Sequence, residues 1–255
     1  MTLRKTLFCT LLLTLLSAST VLAQAVPGTV RPVKIESAAV VPLGQVALEA
    51  GLAFEMDREW QRREYDNVRL APLGVRYGLA PGLEVGGSLG FSSNDGEGAG
   101  APDDSGLEGL SLFGKMQVNE YAALRAGLIL FGDEDVYPYP SDGLDLFADL
   151  ALQRRIEGGL LYGEIGYTVQ GGNLDDNHYF SYGLGYAYPV DRAVTINVEL
   201  GGEEAHEGTT ANVLDLLLGA NVLIAGQVRL APYVSAGLFD SGPDFALGTL
   251  AEMRF

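Results

Sequence analysis

Apolar side chains recur at every second position through most of the chain. Segment 46–54 carries them at its even positions with Glu49 on the other side, and segment 194–200 repeats the pattern. A period of two is that of a β-strand, whose successive side chains point to opposite faces. Twelve segments follow it, and none has a charged residue on its apolar face. The sequence therefore predicts an all-β chain of about twelve strands, with a bulge near Ala71 and Pro72, where the parity changes.

The opposite face of the predicted strands carries charges of both signs. Its charged residues are Glu49, Glu55, Arg69, Arg76, Glu84, Lys115, Arg125, Asp145, Asp149, Glu164, Glu199, Asp215, Arg229, Glu252 and Arg254. A soluble barrel or sandwich would bury the apolar face, whereas a membrane barrel turns that face to lipid. Inward apolar side chains could not fill a barrel of twelve strands, because the diameter grows with strand number. We therefore expect a transmembrane antiparallel up-and-down β-barrel with these charged residues lining its pore. An open two-sheet sandwich is the soluble alternative.

The connections between the predicted strands alternate in length. Short turns near 80–82, 118–120, 155–158, 189–192 and 224–227 alternate with longer polar segments at 56–66, 92–106, 132–143, 171–178, 202–211 and 239–244. Outer-membrane barrels have this asymmetry, with short turns in the periplasm and long loops outside the cell. The pattern predicts an outer-membrane location, with outer-membrane lipid around the barrel.

The first residues have the pattern of an export signal. Arg4 and Lys5 precede the apolar stretch 7–16, and small residues follow up to Ala23. This order is a positively charged region, an apolar core and a cleavage site, and the core is shorter than the roughly 20 residues of a membrane helix. We predict a signal peptide over residues 1–23.

The segment 24–44 precedes the predicted barrel, residues 45–255. Its prolines, Pro27, Pro32 and Pro42, predict an extended rather than a helical chain. The sequence leaves two places for this segment, the periplasm or the inside of the barrel as a plug, of which we favour the periplasm.

Composition excludes several classes of function. The net charge of -17 argues against nucleic acid, whose binding needs a cationic surface. The one cysteine, Cys9, falls in the predicted signal peptide, and we expect neither a metal site nor a cofactor.

His178 follows Asp175 and Asp176, and His206 lies among three glutamates. A histidine beside carboxylates can act as a general base. We expect solvated loop histidines and no enzyme, with a hydrolase at the rim of the barrel as an alternative.

Several motifs resemble known outer-membrane proteins. Segment 73–85, Leu-Gly-Val-Arg-Tyr-Gly-Leu-Ala-Pro-Gly-Leu-Glu-Val, resembles a hairpin of the outer-membrane transporter family linked to phenol meta-cleavage pathways. That family usually has a Thr-Asp-Arg type of turn where this chain has Ala-Pro-Gly. Segment 182–186 and the pair Arg254-Phe255 are also similar. The resemblance implies passage of small solutes, including hydrophobic or aromatic compounds. The alternating residues that end in Phe255 resemble the C-terminal assembly signal of bacterial outer-membrane barrels, which implies the barrel assembly machinery as a partner.

These patterns together predict an outer-membrane channel or passive transporter for small solutes. Carboxylates crowd segments 95–108 and 133–142, and an acidic mouth favours cations and neutral molecules over anions. Arg58, Arg62 and Arg63 either contact the phosphates of lipopolysaccharide or form a solvated cluster. A structural barrel that is closed by interior salt bridges and conducts nothing is a further alternative.

Overall fold

Backbone pairing joins twelve strands into one closed barrel. The computed structural model describes residues 33–60, 63–96, 104–133, 143–171, 178–205, 212–224, 227–239 and 242–255. The strands are β1 (Val46–Trp60), β2 (Arg63–Ala80), β3 (Leu83–Gly96), β4 (Asp104–Asn119), β5 (Ala122–Leu130), β6 (Asp145–Ile156), β7 (Gly159–Val169), β8 (Tyr179–Pro189), β9 (Val194–Ala205), β10 (Val213–Ile224), β11 (Val228–Gly237) and β12 (Pro243–Arg254). The predicted signal peptide, residues 1–23, lies outside the described residues, as do residues 24–32 of the predicted N-terminal segment.

Each strand runs antiparallel to its neighbours in sequence, and β12 pairs with β1 to close the ring. At this seam the Val46 N–H donates to the Phe255 carbonyl oxygen at 3.1 Å, and the Phe255 N–H donates to the Val46 carbonyl oxygen at 2.9 Å. Closure leaves no open sheet edge, which a lipid environment requires. The predicted antiparallel up-and-down barrel of twelve strands is confirmed. Among the described residues, no helix is both long and apolar enough to cross a membrane.

The predicted bulge in β2 is confirmed. The register between β1 and β2 shifts between Ala50 and Ala53, and the register between β2 and β3 shifts between Leu70 and Leu73. The carbonyl oxygen of Ala71 approaches Gly51 so closely that a Cβ atom at Gly51 would overlap it. A glycine is therefore required at that point of β1, where the bulged strand comes nearest.

The strands extend further toward the long loops than the hydrophobic pattern predicts. The predicted loop 56–66 is mostly strand, because β1 has 15 residues and β2 has 18, and only residues 61–62 separate them. A tilted strand needs about 9–11 residues to cross a bilayer. The remaining residues are polar and continue the pairing by backbone hydrogen bonds, which do not depend on side-chain polarity. The loop prediction was wrong here for that reason.

The outer surface of the barrel is apolar and the inner surface is polar. On β1, Leu48 is 45% exposed, whereas the adjacent Glu49 is 9% exposed. Exposed aromatic residues lie near both ends of the outer surface: Phe54, Phe91 and Phe180 toward the long loops, and Tyr77, Tyr188 and Phe255 toward the short turns. This is the arrangement of a barrel in lipid with two interfacial aromatic girdles. A soluble barrel would have the two faces exchanged.

Candidate functional site: the barrel lumen

Residues 33–43, called the inner segment here, lie inside the barrel. Ile35 is 4% exposed, Ala38 0% and Val41 1%. At the short-turn end, Leu43 forms a parallel bridge with Gly78 of β2. From there the inner segment runs into the lumen, and the barrel wall surrounds residues 33–41. The place in the periplasm that the sequence favoured is therefore wrong for these residues, because carboxylates of the wall accept from their backbone N–H groups.

One carboxylate of β9 holds the far end of the inner segment. Glu199 accepts hydrogen bonds from three consecutive backbone N–H groups, those of Val33 at 2.5 Å, Lys34 at 2.8 Å and Ile35 at 3.2 Å. Hydrogen bonds to an ionised group are about twice as strong as neutral ones. Glu199 therefore anchors three consecutive residues of the inner segment.

Other charged residues of the wall bind the rest of the inner segment. Glu164 accepts from the Glu36 N–H at 2.9 Å, and Glu84 accepts from the Val41 N–H at 2.5 Å. The Glu36 side chain in turn lies 2.7 Å from Lys115 Nζ. Because β3 and β9 lie on different sides of the ring, the inner segment spans the lumen.

Arg125 of β5 lies between two aromatic rings. Its guanidinium carbon is 4.6 Å from the ring centroid of Phe113 and 4.9 Å from that of Phe147. It also pairs with Asp149 at 3.4 Å and with Glu36 at 3.8 Å. Stacking between rings fixes the plane of the guanidinium group and keeps its charge in the lumen.

A chain of hydrogen bonds runs along the inner wall from β11 to β9. Arg229 donates to Asn221 at 3.0 Å, and Asn221 donates to Asn197 at 2.6 Å. Asn197 donates to the hydroxyl of Tyr162 at 3.1 Å, and that hydroxyl donates to Glu199 at 2.8 Å. The chain fixes the carboxylate that holds the inner segment.

The charges near the seam form a compact network around Arg76. Its Nη2 atom lies 2.5 Å from Glu49 and 2.6 Å from Glu252, and its Nη1 atom lies 3.5 Å from Glu84. Arg229 adds a second cation 3.6 Å from Glu252. Arg76 is thus the shared partner of three carboxylates from three strands, β1, β3 and β12.

A second network lies nearer the long loops. Arg69 makes two hydrogen bonds of 2.8 Å to the carboxylate of Glu108, and Arg58 Nη2 lies 3.1 Å from Glu55. Arg58 is 3% exposed. The predicted contact of Arg58 with lipopolysaccharide, or its solvation in a loop, is therefore wrong, because its charge is neutralised inside the barrel. Arg62 lies outside the described residues.

Every charged residue that the sequence predicted to line the pore lies on the inner face. They are Glu49, Glu55, Arg69, Arg76, Glu84, Lys115, Arg125, Asp145, Asp149, Glu164, Glu199, Asp215, Arg229, Glu252 and Arg254. Sequence reasoning missed the inward aromatic residues Phe113, Phe147, Tyr162, Tyr179 and Tyr233. For Phe113, Phe147, Tyr162 and Tyr233 the available signal was a position in phase with the charged residues of their strands, whereas β8, which contains Tyr179, has no charged residue.

The inward aromatic rings lie against glycines of the neighbouring strands. A Cβ atom built on each of these glycines would overlap the ring; the pairs are Phe147 with Gly127, Tyr162 with Gly185, and Tyr233 with Gly248. Each ring therefore lies flat along the wall instead of extending across the lumen. This packing keeps space open inside the barrel and explains part of the high glycine content, 34 residues in the chain.

We expect Gly185→Ala to destabilise the barrel by about 1–3 kcal/mol, the usual effect of an added methyl group in a packed site. The new Cβ would displace the Tyr162 ring and lengthen its hydrogen bond to Glu199. Thermal unfolding in detergent measures the change. Gly114→Ala is the matched control, because the atom nearest to its added Cβ would be the Glu84 carbonyl oxygen, 3.9 Å away. Equal melting temperatures for the two variants would contradict the packing argument.

The lumen contains a cavity of about 520 Å³ beside the inner segment. Residues 33–36 form part of its lining, and the strands supply aromatic, aliphatic and glycine surfaces for the rest. Among its lining residues, seven are acidic and four are basic. The cavity can hold a small molecule, and its charge balance favours cations over anions.

The hydrolase alternative from the sequence concerns the long-loop end of the barrel. His178 packs its ring against Tyr167, with 6.1 Å between the ring centroids. His206, the other histidine of the hydrolase alternative, lies outside the described residues. In the part of the chain that the structure describes, no three His, Cys, Asp or Glu side chains are grouped so that they could hold a metal ion.

Comparison with known proteins places the fold. No family model matches the chain, and no curated protein matches it either. An outer membrane channel from Pseudomonas putida F1 superimposes with a TM-score of 0.65 and 16% identity, covering 89% of this chain and 100% of that chain. The β domain of the Bordetella autotransporter BrkA gives a TM-score of 0.50 and 13% identity, covering 82% and 98%. The chain therefore has the fold of an outer-membrane β-barrel, as the sequence predicted.

Proposed function

We propose that this chain is an outer-membrane channel that lets small solutes pass by diffusion. One observation carries the proposal: a closed barrel with an apolar outer surface encloses a charged cavity of about 520 Å³. In membrane barrels that admit water and solutes, charged side chains line the interior and set its selectivity. The similar barrel from Pseudomonas putida F1 is itself described as an outer membrane channel, which supports the same role.

The lining of the cavity supports small solutes that are neutral or cationic and have an apolar part. Phe113, Tyr179 and Tyr233 offer ring surfaces, and Ile129 and Leu217 add aliphatic surface. The excess of carboxylates over basic residues disfavours anions. Hydrophobic and aromatic compounds, which the sequence resemblance implies, fit this lining when they carry a polar group.

The surroundings of the barrel follow from the same proposal. The apolar outer surface contacts the lipid of the outer membrane, with lipopolysaccharide in its outer leaflet. Phe255 is 61% exposed on the outside of the seam, where the barrel assembly machinery could bind it as an assembly signal.

Planar bilayers containing the purified barrel test the proposal. We expect discrete conductance steps in potassium chloride, and a reversal potential in a salt gradient that shows potassium passing better than chloride. Liposomes with the barrel should swell in small neutral sugars faster than liposomes without it. A folded barrel that gives neither current nor swelling would support the alternative of a closed structural barrel.

Glu203→Gln should lower the preference for potassium over chloride by about half, because one of the acidic residues of the cavity loses its charge. Glu204→Gln is the matched control, since this neighbour is exposed beside Phe180, on the outer face of the same strand. The reversal potential in a salt gradient measures both. An equal shift in the two variants would contradict the assignment of selectivity to the lumen.

A further inference from the structure

An ammonium group already occupies a site in the cavity wall. Lys34 Nζ of the inner segment lies 3.5 Å from Asp215 Oδ2 on β10 and 5.7 Å from the ring centroid of Tyr233 on β11. A carboxylate beside an aromatic face is the arrangement that proteins use to bind organic cations. The pair Asp215 and Tyr233 is called the ammonium site here.

The barrel wall holds the aromatic half of this site without help from Lys34. The Tyr233 ring lies against Gly248 on β12, where a Cβ atom would overlap the ring carbons. On the other side, a Cβ atom at Gly219 would come within 3.3 Å of the Tyr233 Cβ atom. Because glycines of both neighbouring strands accommodate the tyrosine, its ring stays flat against the wall and turns a face to the lumen.

The acidic half of the site is also part of the wall. Asp215 is 8% exposed, lines the cavity and pairs through its backbone with Gly201 and Gly237. Glu164, Glu199 and Glu203 line the same cavity and raise the local concentration of cations. The site is therefore preformed and lies in an electrostatically favourable place.

Lys34 is held differently by its backbone and by its side chain. Its N–H group donates to Glu199 at 2.8 Å, so the main chain is anchored independently of the ammonium group. The side chain is 35% exposed, and its 3.5 Å contact with Asp215 is long for a charge-assisted hydrogen bond. The ammonium group can therefore leave the site while the inner segment remains in the lumen.

We propose that the ammonium site binds the amino group of small organic cations, and that Lys34 competes with them for it. The proposal names a class of solute for the channel. The passage of these solutes through the barrel rests on the proposed function, whereas their binding does not. The solute is a primary amine with a short apolar chain: its ammonium group pairs with Asp215 and stacks on Tyr233, and its chain lies on the aromatic and aliphatic lining.

Calorimetric titration of the detergent-solubilised full chain with butylammonium chloride tests the proposal, because butylammonium has the structure of the lysine side chain. We expect Asp215→Asn to weaken binding about tenfold and Tyr233→Leu to weaken it several-fold. Lys34→Met should strengthen binding about tenfold, because it removes the competing ammonium group and keeps the apolar stem. The neutral isostere 1-butanol should bind more weakly than butylammonium to the unaltered chain.

Measurements on these variants and ligands can also overturn the proposal. Unchanged affinity in Lys34→Met would overturn the competition, and this variant changes only a partly exposed side chain, so that its folding is not in question. Equal affinity for 1-butanol and butylammonium would overturn the ammonium site itself. A barrel that binds butylammonium as expected but passes no potassium current contradicts the channel and leaves the site standing, whereas a conducting barrel that binds no amine overturns the site alone.

Discussion

Deleting residues 33–43 should raise the single-channel conductance several-fold. The inner segment spans the lumen, and the wall holds it at both ends through Glu199 and Glu84. Its removal turns the space that it fills into part of the aqueous path, and conductance rises with the open cross-section. Planar-bilayer recording of the deletion variant beside the full chain measures the effect.

Glu199→Gln should also raise the single-channel conductance, but by less than the deletion of residues 33–43 does. The amide retains one acceptor oxygen but loses the charge that strengthens three backbone hydrogen bonds, each worth about 1.5–3 kcal/mol when the acceptor is ionised. The inner segment should then leave its place at times, which appears as bursts of higher conductance. Asp145→Asn is the matched control, since this inner carboxylate accepts from the Gly171 N–H instead. If the deletion leaves conductance unchanged, the inner segment is not the constriction.

Replacing Arg76 by alanine should cost about 3–5 kcal/mol of the free energy of unfolding. Three buried carboxylates share this one guanidinium group, and its loss leaves their charges crowded at the seam. Unfolding by urea in detergent, followed by the loss of strand signal, measures the change. The expected effect is large because Arg76 pairs with residues of β1, β3 and β12 at once.

Arg254→Ala is the control for Arg76→Ala. Arg254 also pairs with Glu252, at 2.8 Å, but its side chain is 33% exposed. Water can replace it, so we expect a cost of about 0–1 kcal/mol. Combining Arg76→Ala with Glu49→Gln should recover part of the lost stability by removing one of the crowded charges. Equal costs for the two arginine variants would show that burial does not set the strength of this network.

The strands and the sidedness of the barrel could be predicted because their signal is local. In β3, Glu84 and Val85 alternate in the sequence and lie on opposite faces in the structure. The two faces separate wherever the period of two holds, and lipid on the outside follows from the width of the barrel. Long-range pairing is not needed for either inference.

The place of the inner segment could not be predicted in this way. Its prolines indicate an extended chain, and the N–H groups of an extended chain can pair with water in the periplasm or with side chains in the lumen. Glu84, Glu164 and Glu199 are far apart in sequence, and only ring closure turns them toward one lumen. Their common role as acceptors for the inner segment is therefore a property of the closed barrel.

The inward position of Arg58 departs from the alternation of β1 because of one backbone residue. Asp57 has a φ of 52°, and the register of β1 against β2 shifts between Glu55 and Arg58. The shift turns Arg58 inward, next to Glu55, although the alternation before it predicts the opposite face. Aspartate adopts a positive φ more often than most residues, but only a small fraction of aspartates do so, and the sequence alone does not predict this one.

The seam has a consequence for biogenesis. Strands β1 and β12 are neighbours in the wall but are separated by the rest of the barrel sequence. Until β12 is in place, one edge of β1 has no partner strand, and lipid does not tolerate such an edge. Since residues 33–43 are held by carboxylates of β3, β7 and β9, the inner segment has all of its wall contacts only when the last pair of strands has met.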